Sequence, residues 1–183
     1  SHTCGLRTDS TLACFGRDDD GQSTAPAGAF TQVSSGGYHS CGLLSDGTLT
    51  CWGRNTSGQA TPPTGAFVHI SAGNAHTCGL RTDGTLACWG WNYYAQAAPP
   101  AGIFSQVTSG GNHSCSLRID GTLACWGYDG QGQATPPTGT FAQVSAAFEH
   151  NCAVRTDGAL ACWGANYSGQ ATPPAGTYVQ VSA

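Results

Sequence analysis

Methionine and lysine are absent from the 183 residues, and charge is scarce: 9% of the chain, with six basic residues, all arginine, against ten acidic ones. A net charge of -4 provides no basic surface, so nucleic acid is not an expected partner. No apolar run approaches the roughly 18 residues of a membrane span, so no membrane insertion is expected. Sustained helical periodicity is missing as well, which argues against a helical fold. With no methionine and Ser1 leading, the chain reads as a processed or excised product whose signal peptide is already gone. No serine–histidine–acid order, phosphate loop or carboxylate pair escapes the repeat pattern described below. The chain is therefore not expected to be an enzyme, has no expected catalytic residue, and calls for no cofactor.

What is abundant is turn-forming and cross-linking: 27 glycines, nine prolines and ten cysteines. They recur in one unit, seen at His76–Gly90 as H-T-C-G-L-R-T-D-G-T-L-A-C-W-G. Asp-Gly between two short apolar runs is a hairpin signal, because glycine accepts the positive φ of a tight reversal. A Thr82-Asp83-Gly84 loop sets Arg81 opposite Thr85, Leu80 opposite Leu86 and Cys78 opposite Cys88. The cysteines then form a non-hydrogen-bonded pair, within reach of a cross-strand disulfide. The unit starts at His2, His39, His76, His113 and His150, each 37 residues after the last. The expected disulfides follow in step: Cys4–Cys14, Cys41–Cys51, Cys78–Cys88, Cys115–Cys125 and Cys152–Cys162. Such pairs suit an oxidising compartment, and their spacing is wrong for a clustered metal site. A secreted, extracellular or cell-surface location is expected.

A period between 20 and 50 residues means a solenoid, a propeller or an array, since no unit this short buries a core alone. Before each hairpin lies an aromatic-led strand such as Phe30-Thr-Gln-Val-Ser. After it comes Gly-Gln-Ala-Thr-Pro-Pro or a variant, read as an edge strand that ends at its prolines. Four antiparallel strands per unit, repeated radially, describe an all-β, five-bladed propeller with one disulfide per blade. Residues 1–183 are expected to form this single domain. The segment 177–183, with its strand Tyr178–Ser182, should complete the blade opened by His2–Gly16 and lock the ring.

The pattern of Ser109-Gly110-Gly111-Asn112-His113-Ser114, Asp120-Gly121, Trp126-Gly127 and Gly132-Gln133 resembles the regulator of chromosome condensation repeat family. Five matches in register cover the whole chain, and the resemblance implies a β-propeller with one repeat per blade. The units are short, each carries a cysteine pair, and the basic face of the chromatin-binding namesake is missing. Exchange-factor activity therefore does not carry over. The closer likeness is to secreted, cysteine-paired members, which implies a module that binds other proteins through one face of the ring. Five-bladed lectins of the tachylectin type share the blade count but have a different repeat sequence.

The in-register histidines stand too far off a five-fold axis to converge on one metal ion. Each is expected to tie its blade to a neighbour by a hydrogen bond. His69, at the position of Gln32, carries no signal of its own. Trp52, Trp89, Trp126 and Trp163, with Phe15 in the first unit, are expected in the inter-blade core. Asp9, Asp46, Asp83, Asp120 and Asp157 are turn residues. Asp18-Asp19-Asp20-Gly21 lacks the ligand alternation of a calcium loop. Asn55, Asn112 and Asn166 lie in glycosylation sequons.

Strand alternation places the loops before and after each hairpin on one face, and the Asp-Gly turns with the Pro-Pro links on the other. The first face varies from unit to unit. Its candidate binding residues are Tyr38, Trp91, Asn92, Tyr93, Tyr94, Asn112, Tyr128, Asp129, Phe148, Glu149, Asn166 and Tyr167. Aromatic side chains beside Asn and Asp suit a protein hot spot or a sugar-stacking site. The expected partner is a protein or a cell-surface glycan. Self-assembly of stacked rings into a fibre or surface layer is the structural alternative.

Overall fold

The computed structural model describes residues 1–183 and contains fourteen strands and no helix. In chain order they are β1 (His2–Leu6), β2 (Leu12–Gly16), β3 (Phe30–Ser35), β4 (His39–Leu44), β5 (Leu49–Gly53), β6 (Phe67–Ala72) and β7 (His76–Arg81). The remainder are β8 (Leu86–Gly90), β9 (Phe104–Ser109), β10 (His113–Arg118), β11 (Leu123–Gly127), β12 (Phe141–Ala146), β13 (His150–Arg155) and β14 (Leu160–Gly164). They form five blade-like antiparallel sheets: β1–β2, then β3–β4–β5, β6–β7–β8, β9–β10–β11 and β12–β13–β14. Successive aromatic-led strands β3, β6, β9 and β12 contact one another and line the axis.

The hairpins follow from their turn chemistry. Cys78 pairs with Cys88, Gly79 with Ala87 and Leu80 with Leu86. The Arg81 N–H donates to the Thr85 carbonyl at 2.9 Å, and Gly84 takes a φ of 81°. Asp83 fixes the reversal by accepting from the Thr85 N–H at 2.9 Å and the Thr85 hydroxyl at 2.7 Å. In the first unit Ser10 fills the glycine position at a φ of 67°. All five disulfides form within their own hairpins, with Cα atoms 4.0 to 4.1 Å apart.

Two expectations are corrected. The Gly-Gln-Ala-Thr-Pro-Pro segments are turns, so the four complete sheets have three strands rather than four. Gly21, Gly58, Gly132 and Gly169 take left-handed φ values, and Ala95 does so without being glycine. These angles curl the chain inward. Gln22, Gln59, Gln96 and Gln133 end up fully buried between units, where an edge strand would have exposed them. The indoles of Trp52, Trp89, Trp126 and Trp163 donate to the carbonyls of these same glutamines at 2.9 to 3.1 Å.

The second correction concerns closure. The β1–β2 sheet keeps two strands, and residues 178–183 form no strand. That segment lies beside β12: Gln143 donates to the Val181 carbonyl at 3.1 Å and accepts from its N–H at 2.8 Å. No strand pairing joins this segment to the β1–β2 sheet. Phe15 consequently stands 66% exposed, because no unit packs against that side of the first sheet.

The core lies in the seams between sheets. One seam joins Cys41 and Leu43 to Phe67, Ile70 and Trp89. The next joins Cys78 and Leu80 to Phe104 and Val107. The last joins Cys115 and Leu117 to Phe141, Val144 and Trp163. Four of the five in-register histidines bond across to the next unit as expected, and His150 makes no such bond. His2 reaches Ser40 at 2.7 Å, His39 reaches Thr77 at 2.7 Å, His76 reaches Ser114 at 2.9 Å and His113 reaches Asn151 at 2.8 Å. Burial holds their pKa values down, to about 4 for His39 and about 3 for His76. They are neutral hydrogen-bonding groups at neutral pH.

Candidate functional site

The variable face is built by one repeated backbone contact. The residue after each hairpin donates its N–H to a carbonyl in the loop before that hairpin: Arg54 to Tyr38 at 2.9 Å, Trp91 to Ala75, Tyr128 to Asn112 and Ala165 to Glu149 at 2.8 Å. The bond demands a glycine just before it. Gly53 takes a φ of 95°, and a Cβ there would meet the Tyr38 carbonyl at 2.8 Å. Loops before and after the hairpin therefore share one face. The Asp-Gly turns lie with the proline-rich links on the other, where the Phe67 N–H donates to the Gly47 carbonyl at 2.8 Å.

One column of the repeat, Arg17, Arg54, Trp91, Tyr128 and Ala165, supplies the side chains that distinguish the units on this face. Around the first two, the Tyr38 ring lies 4.2 Å from the Arg54 guanidinium and 5.4 Å from that of Arg17. Arg54 pairs with Asp20 at 3.0 Å and Arg17 with Asp19 at 2.6 Å, so both cations are neutralised locally. Around the next two, four rings pack in series. Trp91 stacks on Tyr93 at 6.0 Å and 9°, and meets Tyr94 edge-on at 5.5 Å. Tyr94 then contacts Tyr93 at 4.9 Å and Tyr128 at 4.8 Å. Tyr93 is 77% exposed and Tyr94 37%. A depression of about 260 Å³ joins the two regions, lined by Tyr38, Arg54, Thr56, Ser57, Asn74 and Trp91 among others.

Not all the candidate residues serve this region. Asn92, Asp129 and Asn166 cap their own loops. Asn92 accepts from the Ala97 N–H at 2.8 Å, Asp129 from the Ala134 N–H at 2.7 Å and Asn166 from the Ala171 N–H at 2.8 Å. The side-chain amides of Asn55 and Asn166 donate to Thr61 and Thr172 at 2.9 and 3.0 Å, so both are engaged within their own loops. The signal was in the sequence: Asp18, Asn55, Asn92, Asp129 and Asn166 occupy one column, always Asp or Asn. The Asn112 carbonyl receives the Tyr128 N–H, while its side-chain Oδ1 is buried.

Phe148 is 63% exposed and lines a separate depression of about 250 Å³ at the axis, among Gly36, Gly37, Gly73, Gly110 and Gly111. Glu149 is half-buried beside it in the chain. Tyr167 is 74% exposed and stands apart from the other rings. The part that Arg17, Arg54, Thr56 and Ser57 play around Tyr38 was not anticipated. The recurrence of arginine at one column, 37 residues apart, was the available sign.

The regulator of chromosome condensation (RCC1) repeat family matches residues 30–59, 67–96, 104–133 and 141–170, which is four of the five units. No curated protein matches the chain. Among solved structures, the entire ectodomain of the Physcomitrella patens receptor kinase CR4 is similar with 25% identity and a TM-score of 0.79, over 100% of this chain and 53% of that one. The CRINKLY WD40 ectodomain of the Arabidopsis thaliana receptor kinase ACR4 is similar with 28% identity and a TM-score of 0.72, over 89% and 60%. Prp20p from Saccharomyces cerevisiae, whose structure is described together with its binding to Gsp1p and histones, shares the fold at 19% identity and a TM-score of 0.78, over 94% and 57%. The chain thus spans roughly half to three-fifths of these similar chains.

Proposed function

We infer that this chain, which belongs to the regulator of chromosome condensation (RCC1) repeat family, is a non-catalytic protein-binding module that meets its partner through the variable face. The observation that carries this reading is the concentration of exposed rings: Tyr93, Tyr94, Phe148 and Tyr167 are 37 to 77% exposed and all lie on loops of that face. Large exposed rings beside neutralised arginines are the composition of an interface hot spot. The opposite face repeats Asp-Gly turns and proline links, and offers no comparable cluster of rings. Five disulfides support an extracellular setting, as do two receptor-kinase ectodomains among the similar structures. Nucleic acid is not proposed as a partner, because this chain is acidic where a nucleic-acid-binding surface requires the opposite balance.

The test is capture of surface or secreted proteins from native material by the intact chain. A Trp91→Ala/Tyr94→Ala variant should lose at least tenfold of the captured partner while keeping its circular dichroism. An Asp46→Ala/Asp120→Ala variant, altered on the opposite face, should capture normally. Equal losses from the two variants would sink the assignment of the binding face.

A further inference from the structure

We propose that the ring cluster Trp91, Tyr93, Tyr94 and Tyr128 is a docking ridge for an extended, proline-rich peptide. The proposal rests on the protein-binding reading above and names the kind of segment that the face accepts. Three features converge on it.

The first is the shape of the ridge. Tyr94 stands nearly perpendicular to both Trp91 (87°) and Tyr93 (86°), so the rings form clefts rather than one flat platform. Trp91 has one flat side covered by the parallel Tyr93 ring. A pyranose wants a free ring face with polar side chains at its rim. Pyrrolidine rings fit between aromatic edges and faces, which is how aromatic-lined grooves grip polyproline II segments. From Trp91 through Tyr94 to Tyr128 the centroid steps are 5.5 and 4.8 Å. The ridge thus spans at most about 10 Å, against roughly 9 Å for one three-residue turn of polyproline II at 3.1 Å per residue.

The second feature is hydrogen bonding. The polar side chains that a sugar would use are already committed. Asn92 Oδ1 accepts from Ala97, and the Asp129 oxygens accept from the Ala134 N–H and the Thr135 hydroxyl. What the ridge has left is an indole N–H and tyrosine hydroxyls, all able to donate. The indoles of Trp52, Trp89, Trp126 and Trp163 donate to glutamine carbonyls, whereas that of Trp91 has no such partner. Tyr93 and Tyr94 carry hydroxyls on exposed rings. A proline-rich segment offers carbonyl acceptors and no N–H at its prolines, which suits the unpartnered Trp91 indole donor and leaves the tyrosine hydroxyls free to donate.

The third feature is local backbone cost. The loop that carries Trp91, Tyr93 and Tyr94 continues into Ala95 at a φ of 63°, where the first, second, fourth and fifth units have glycine. Left-handed alanine is strained, and such strain concentrates at ligand-gripping sites.

The experiment is a ¹⁵N correlation titration of the intact, disulfide-bonded chain with an acetylated decaproline peptide, following the five tryptophan indole signals. The expected result is a saturable shift of the Trp91 indole alone, and at least tenfold weaker binding by Trp91→Ala/Tyr94→Ala. Should that pair disturb folding, Tyr93→Ala, which alters the most exposed ring of the ridge, is expected to weaken binding about threefold, on the scale of one peripheral contact. An unmoved Trp91 indole, shifts that survive these substitutions, or equal shifts with a chito-oligosaccharide would overturn the proposal. Capture of a native partner that depends on Trp91 and Tyr94 but is not competed by decaproline would overturn the peptide class and leave the protein-binding reading standing. Capture indifferent to those residues would remove that reading itself.

Discussion

The seam between the third and fourth sheets and the seam between the fourth and fifth are built alike on the outside and differently at the axis. In both, a histidine crosses to a polar residue of the next hairpin strand, and a tryptophan indole caps a buried glutamine carbonyl. At the axis of the later seam, Gln106 donates to the Val144 carbonyl and accepts from its N–H, both at 3.0 Å. A carboxamide presents a carbonyl and an NH2 side by side, which matches the paired groups of a strand edge. Gln32 and Gln143 do the same at their seams. At the earlier seam the position is His69, whose two ring nitrogens point in different directions. It makes no such pair, and its Nδ1 is buried without a partner. The Ser71 hydroxyl accepts from the Ser109 N–H at 2.9 Å, as those of Ser34, Thr108 and Ser145 do at the other seams, and the Ser109 hydroxyl adds a bond to the Ser71 carbonyl at 3.0 Å. The same seam carries the left-handed Ala95 and the Tyr94–Tyr128 contact. The lesson is that repetition fixes the outer layers, while the seam between the third and fourth sheets departs from the repeat at the axis.

Four measurements break or sharpen that contrast. The largest effect belongs to the shared layer. Trp126→Ala at the earlier seam and Trp163→Ala at the later one should each cost about 3–5 kcal/mol in denaturant unfolding. Costs that differed by more than half would show that the outer layers are not equivalent.

Acid comes next. His39 and His76 are held neutral by burial, with pKa values of about 4 and about 3 against 6.5 when unfolded. Their contribution is present above pH 6.5 and is lost as the pH falls toward 4, because the unfolded chain takes up the protons first. For His39 alone this amounts to about 3 kcal/mol at 1.36 kcal/mol per pH unit. The turn aspartates Asp46, Asp83 and Asp120 have pKa values lowered below 3.8 by threonine hydrogen bonds, so their contribution is lost only at lower pH. A melting temperature flat between pH 7 and 4.5 would contradict the buried-histidine account.

The axial difference is smaller. His69→Gln should restore two bonds and add about 1–2 kcal/mol, or roughly 2–8 °C in melting temperature, and Gln106→His should subtract a similar amount. If His69→Gln destabilises, the histidine is doing something that the glutamine ladder does not. The smallest effect is at Ala95→Gly. Nothing crowds a Cβ at Gly21, Gly58, Gly132 or Gly169, so backbone strain alone is relieved, by up to about 1 kcal/mol.

The hairpin register, the disulfide pairing, the seam-crossing histidines and the division into two faces were legible in the sequence. Each follows from a local rule repeated five times, which leaves little room for a tertiary override. The Gly-Gln-Ala-Thr-Pro-Pro segment was misread as a strand, because its prolines fit an edge and its glutamine looked solvent-facing. The Asp or Asn four residues before each glutamine, from Asp18 and Gln22 onward, was the clue that the segment is a capped turn. His69 carries no signal of its own in the sequence, because nothing local marks its glutamine column-mates as strand-bridging groups. The ring cluster was anticipated by residue, but not its continuity with Tyr128 or its separation from Phe148 and Tyr167.

Because every disulfide closes inside one hairpin, no cross-link other than the backbone itself joins neighbouring sheets, and this gives the chain a particular response to pulling. Force applied at the two ends would separate sheet from sheet while each ten-residue staple held. Of the 37 residues in a unit, only 27 could then pay out, since 10 stay locked behind the sulfur bridge. Each rupture would release at most about 90–100 Å of chain at roughly 3.3–3.6 Å per residue, and about 120–130 Å once the bridge is reduced. The array is in effect an extensible tether whose step length is set by the redox state of its hairpins.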